Sequence, residues 1–193
     1  KKIKNQGNLK LINNSNFEKF KNVNEKFLKT GLYWLASSTH AGEEAFCIEV
    51  HLKIKKSMDN VVTIIAPRHI SRVNDIQKFC ENFNLKSQIL AENDIISKNS
   101  EIIIINSYGF LKDFYKFTKS VFMGKSILKR IEGKSGQSPI EPAQLGCRVY
   151  HGPYIYNFSD IYEILKNHGI SQLIKNSEDL ARNIVIDFNN TNL

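Results

Sequence analysis

The sequence predicts an α/β fold, a parallel sheet flanked by helices. Short apolar segments alternate with segments of helical apolar spacing along the whole chain. The strand segments are apolar at successive positions, as in Val61-Val62-Thr63-Ile64-Ile65-Ala66 and Ile102-Ile103-Ile104-Ile105, the pattern of strands buried on both faces. The chain has 193 residues and is 41% hydrophobic, enough for one domain with a core of its own, and wholesale disorder is excluded.

Residues 1–30 are polar and lysine-rich, with Phe17, Phe20, Val23, Phe27 and Leu28 at helical spacing. They read as an extended lead-in and one amphipathic helix. The apolar run 31–36 is a first strand, and residues 37–42 the loop after it. Residues 43–56 read as a helix with Ala45, Phe46, Ile48, Val50, Leu52 and Ile54 apolar. Residues 61–66 form a second strand, stopped by Pro67. A helix over 71–83, a short strand over 88–90 and a strong one over 101–105 follow. Residues 110–117 are helical and 120–123 a strand. Residues 124–138 are the longest stretch without a clear pattern, and such a loop in a compact domain is usually functional or mobile. Beyond it come a helix over 139–145, a strand over 147–151, a helix over 157–167, a strand over 171–174 and a last helix over 177–188.

The formal charge is +8, from 27 basic and 19 acidic residues. Residues 1–30 carry a net +6 and residues 112–134 a net +5, so the remainder is slightly acidic. The charge has two readings. One is a compositional skew shared with the abundant Ile and Asn, as an AT-rich coding bias produces. The other is attraction to phosphate, on a nucleotide or an anionic membrane surface. Only five of the 27 basic residues are Arg, which argues against a protein that reads nucleic acid bases. No apolar run reaches the roughly 18 residues of a membrane span. The N-terminus opens Lys1-Lys2-Ile3-Lys4-Asn5-Gln6, without an apolar signal region or an initiator Met, which suggests a piece of something longer. Cys47, Cys80 and Cys147 are odd in number and far apart, which points to neither a disulfide framework nor a metal site, and to a reducing, intracellular setting.

In open parallel sheets ligands bind beyond the carboxyl ends of the strands. Those positions hold Ser37-Ser38-Thr39-His40-Ala41-Gly42-Glu43-Glu44, Pro67-Arg68-His69, Asn106-Ser107-Tyr108-Gly109 and Gly124-Lys125-Ser126. Small, polar and basic residues thus collect on one edge, and a nucleotide phosphate is the expected ligand. No Gly-x-Gly-x-x-Gly follows the first strand and no P-loop string occurs, so neither a dinucleotide fold nor a P-loop is expected. Ser138-Pro139-Ile140-Glu141 has two readings. It is a capping box, with Ser as N-cap, Pro first and Glu closing, or it is a helix start that holds a phosphate and a ribose. Arg68 is either a surface residue or a planar fork for a phosphate. His40 and His51 lie eleven apart with no third ligand in register, so no metal is expected. Cys47 and Cys80 read as small core residues, Trp34 as a core anchor, and Glu43 and Glu44 as partners of a helix dipole.

Together these strings resemble the C-terminal half of the 3-deoxy-D-manno-octulosonic acid (Kdo) transferases, bacterial lipid A glycosyltransferases. The matching pieces occur in the family's order. They are Gly7-Asn8-Leu9-Lys10, then Trp34 to Glu44, then Ala66-Pro67-Arg68-His69 with Arg72. Pro139-Ile140-Glu141-Pro142-Ala143 with Leu145-Gly146 and Gly152-Pro153 with Asn157-Phe158 complete the set.

The resemblance implies a Rossmann-like domain, the C-terminal half of a type-B glycosyltransferase fold. Residues 1–30 would come from the interdomain region, and residues 31–193 would form the nucleotide-sugar donor domain. It further implies the donor CMP-Kdo, a lipid A precursor as acceptor, no bound metal for catalysis, and work at the cytoplasmic face of the inner membrane. By position, Pro67 and Arg68 would contact CMP, and Tyr108, Gly109 and Phe110 would line the cytidine pocket. Ser138, Pro139, Ile140 and Glu141 would hold phosphate and ribose. The loop with Ser38, Thr39, His40, Gly42 and Glu43 would face the sugar and the cleft. Two strings depart from the family pattern. The family's Asp-Thr-x-Gly-Glu-Leu is here Asn106-Ser107-Tyr108-Gly109-Phe110-Leu111, and its His-Asn before the donor helix is Gln137-Ser138. The family's catalytic carboxylate lies in the N-terminal half, so no catalytic base is assigned to this chain. The chain alone is expected to transfer no sugar, and the other reading of it is a non-catalytic nucleotide-binding or interaction remnant.

Overall fold

The computed structural model describes residues 23–109, 111–129 and 135–190. The Gly7-Asn8-Leu9-Lys10 string, the helix positions Phe17 and Phe20, and the candidate Phe110 lie outside them. Seven parallel strands form one sheet in the order β3-β4-β2-β1-β5-β6-β7. They are β1 (Tyr33–Thr39), β2 (Val62–Pro67), β3 (Ser87–Leu90), β4 (Ile102–Ile105), β5 (Ser120–Met123), β6 (Arg148–His151) and β7 (Ser171–Leu173). The helices are α1 (Glu25–Thr30), α2 (Glu43–Lys55), α3 (Val73–Glu81), α4 (Leu111–Tyr115), α5 (Ile140–Gln144), α6 (Ser159–Asn167) and α7 (Ser177–Asn189). Short 3-10 turns at Ile70–Arg72 and Tyr156–Phe158 lead into α3 and α6.

The inner strands β1, β2, β4, β5 and β6 are buried on both faces, as their apolar runs predict, the edge strands β3 and β7 are partly open, and alternate side chains enter two cores. Trp34, Ala36, Ile65, Ile102, Ile104 and Phe122 pack under α2, α3 and α7. Leu35, Ile64, Ile103, Ile105, Val121 and Val149 pack on the other face, under α1, α4 and α6. Trp34 is fully buried, and Cys47 and Cys80 fill core positions.

Two sequence expectations change. Gly31 does not open β1; its N–H caps α1 by bonding the Phe27 carbonyl at 2.6 Å. The strand instead runs on through Ser37, Ser38 and Thr39, three residues expected in a loop. Polar residues persist in this central strand because Ser37 and Thr39 are buried against partners of their own, the Tyr115 hydroxyl and the Glu44 carboxylate.

Candidate functional site

The chain starts at β1, builds outward through β2 to β4 and β3, then returns to β5 on the other side of β1. The order therefore reverses between β1 and β5, which opens a crevice beyond their carboxyl ends. The loops after β1, β2 and β5 line it, and each is fixed by identifiable contacts.

At the exit of β5, Gly124 lies directly against β1. A Cβ there would sit 2.4 Å from the Ser38 carbonyl oxygen, so only glycine permits this approach. Ser38 and Lys125 both take left-handed φ of 57°. Glu43 is buried and accepts the backbone N–H groups of His40 (2.9 Å), Lys125 (2.6 Å), Ser126 (2.9 Å) and Ile127 (3.3 Å). Glu44, also buried, takes a two-pronged ion pair from Arg72 at 2.7 and 2.9 Å and a hydrogen bond from the Thr39 hydroxyl at 3.0 Å. Both glutamates stand in the first turn of α2, where the helix dipole favours a carboxylate, and the structure adds that the two are enclosed and matched donor by donor. For the same reason Glu43 does not open onto the cleft as expected.

Arg68 follows β2. Its backbone N–H bonds the Thr39 carbonyl at 2.9 Å, while its guanidinium is exposed and has no ion pair among the described residues. The rings of His40 and His69 meet edge to face at 5.8 Å. Burial lowers the His40 pKa. The Ser38 carbonyl and the Glu43 carboxylate oppose that shift, and Lys125 and His69 add to it.

The far end of the long loop returns to the same place. The Gly136 N–H bonds the Lys125 carbonyl at 2.8 Å, and the Gln137 carbonyl accepts the Tyr162 hydroxyl at 3.1 Å. This delivers Ser138, Pro139, Ile140 and Glu141 to the crevice side of β5. The capping box does not form. Pro139 occupies the N-cap position without a side-chain bond, and α5 begins at Ile140. Glu141 is thus the second helical residue, not the third that a capping box requires. Neither the Ser138 hydroxyl nor the Glu141 carboxylate has a hydrogen-bond partner among the described residues. Glu141 is exposed and close enough to raise the pKa of the buried Tyr115, which burial already pushes up.

Tyr108 and Gly109 follow β4, two strands from β1, and both are exposed. The structure thus gathers the loops that hold Ser38, Thr39, His40, Gly42, Pro67 and Arg68 beyond the carboxyl ends of β1 and β2, with Glu43 enclosed beneath them, Ser138 to Glu141 on the β5 side, and Tyr108 and Gly109 farther along the same edge. One contributor had no sequence signal as a site residue: Tyr115, which shares a 2.5 Å hydrogen bond with Ser37.

No protein-family model matches the chain. It is 26% identical over 181 residues to the 3-deoxy-D-manno-octulosonic acid transferase of Aquifex aeolicus, covering 94% of this chain and 46% of that protein. It is 25% identical over 180 residues to the enzyme of the same name in Haemophilus influenzae, covering 91% and 41%. The chain therefore spans less than half the length of these curated relatives. Among solved structures it resembles the C-terminal CMP-Kdo binding domain of WaaA from Acinetobacter baumannii, with a TM-score of 0.77 at 21% identity over 87% of this chain and 86% of that one. The resemblance carried by the sequence motifs thus extends over more than nine-tenths of the chain, which is similar in sequence to the Kdo transferases and in fold to the C-terminal domain of WaaA.

Proposed function

We propose that this chain is the donor-binding domain of a glycosyltransferase that moves Kdo from CMP-Kdo to a lipid A precursor in lipopolysaccharide biosynthesis. One observation carries the reading: the exposed, unpaired guanidinium of Arg68 stands at the carboxyl edge of the sheet, on the opposite side of β1 from the uncommitted side chains of Ser138 and Glu141. Arg68 offers two parallel N–H donors to the phosphate of CMP. Glu141 accepts hydroxyls of the ribose, and Ser138 donates to a phosphate oxygen. In this reading Tyr108, Gly109 and Phe110 line the cytidine pocket. As the sugar–oxygen bond breaks, negative charge grows on the departing phosphate, and Arg68 stabilises that charge. Arg68→Ala should weaken CMP binding by roughly 1.5–3 kcal/mol, the scale of a charged hydrogen bond. Calorimetry giving equal CMP affinity in wild type and variant contradicts the reading.

The base that takes the acceptor's proton belongs in this reading to the facing N-terminal domain, and the transferase works at the cytoplasmic face of the inner membrane. The clustered positive charge of residues 112–134 supports peripheral contact with anionic lipid there. The chain alone then gives no turnover; glycosylated lipid formed above a no-protein control would require a base within it. A second reading, a nucleotide-binding remnant without catalysis, is favoured by Phe110, which lacks the carboxylate that the family pattern has at this place.

A further inference from the structure

We propose that Glu43 is a positioning residue for the donor phosphate, acting by locking together the two loops that flank the crevice. The proposal rests on the donor-site reading above and names a residue through which that site would be held in shape. The Glu43 side chain is 1% exposed, so its carboxylate works inside the fold. Its Oε2 accepts from His40 on the exit of β1 and from Lys125 on the exit of β5. Its Oε1 accepts from Ser126 and Ile127, farther along the second loop. One carboxylate thus ties both sides of the switch point.

The tie holds backbone that would not keep this shape unaided. Ser38 and Lys125 are both left-handed, a conformation that a non-glycine residue adopts only at a cost in backbone strain. The Gly136 N–H bonds the Lys125 carbonyl, so the peptide that Glu43 grips also carries the return of the chain toward Ser138. The Lys125 ammonium and the Glu43 carboxylate both bear on the His40 ring, which places these charges together at the crevice. A carboxylate beside an anion site repels its ligand unless its charge is met locally. Four N–H groups do this, and the positive charge of Lys125 and Arg68 remains for an incoming phosphate.

Neither close substitute can make the tie. Asp keeps the charge but is one methylene shorter and cannot reach both loops from the start of α2. Gln keeps the length but sets an NH2 group against two N–H donors.

The test is calorimetric titration of the 193-residue chain and of Glu43→Gln and Glu43→Asp with CMP and, separately, with cytidine. The expected result is a fall in CMP affinity of about tenfold or more in both variants, with cytidine affinity held within about twofold. A merely structural role lowers the competent fraction and leaves the CMP-to-cytidine ratio unchanged; that outcome overturns the proposal. If neither variant folds, amide NMR of the wild type decides. CMP should then shift the Lys125 and Ser126 amides, and cytidine should leave them in place. CMP binding that leaves both unmoved overturns the role of Glu43 while the donor-site reading stands. A wild type that binds no CMP overturns that reading and the proposal with it.

Discussion

At the scale of single residues, the site is a contrast between committed and uncommitted side chains. Both oxygens of Glu43 and of Glu44 accept from partners inside the fold, whereas the side chains of Glu141, Ser138 and Arg68 have no hydrogen-bond partner among the described residues. This contrast separates the two roles that Ser138-Pro139-Ile140-Glu141 could have on sequence alone. A capping glutamate supports its helix, so its loss lowers stability. A ligand glutamate affects binding only. Glu141→Gln should therefore leave the melting temperature unchanged and weaken CMP binding, because a neutral amide accepts ribose hydroxyls less well than a carboxylate. Equal CMP affinity in the two proteins would leave Glu141 without a role in the site.

At the scale of elements, the docking of α2 on the sheet carries a pH dependence. His51 lies in the middle of α2, fully buried, with Nδ1 2.9 Å from the Thr63 hydroxyl of β2. Its Nε2 is buried without a partner among the described residues, and desolvation pushes the pKa down from 6.5 to about 4. The folded protein keeps the ring neutral, while the unfolded chain takes up a proton below about pH 6.5. Stability is therefore retained above pH 6.5 and lost as pH falls toward 4, by up to roughly 3 kcal/mol. His51→Asn, which does not titrate, should show a smaller loss of melting temperature over that window. Identical acid limbs in the two proteins would contradict this assignment.

The elements also show what was legible beforehand. The inner strands stand where apolar runs stand, because burial on both faces leaves little room for a polar interruption, while the half-open edge strands β3 and β7 begin Ser87-Gln88 and Ser171-Gln172. The exception is the end of β1. Ser37 and Thr39 look like loop residues locally, and only Tyr115 from α4 and Glu44 from α2 make them strand residues. The same limit applies to the site. Arg68 and Ser138 could be picked out because strand ends and helix starts are local features. The tie through Glu43 joins residues more than 80 positions apart, and no local pattern records it.

At the scale of the whole molecule, the sheet order places every candidate on one edge. The opposite edge is closed by a different device. Asp187 of α7 accepts the Ser120 and Tyr150 hydroxyls at 2.7 and 2.6 Å and pairs with Arg148 at 3.0 Å. That cluster pins the last helix to the starts of β5 and β6 and leaves its charges satisfied. On the carboxyl edge the exposed Arg68 guanidinium has no ion pair among the described residues. In the proposed function a CMP-linked donor sits on this edge, over the β1–β5 reversal. The decisive measurement is a crystal structure of the chain with CMP. It should show the phosphate against Arg68 and the ribose within hydrogen-bond distance of Glu141. Nucleotide bound at the amino edge near Arg148 and Asp187, or on the surface away from Arg68, would contradict the claim.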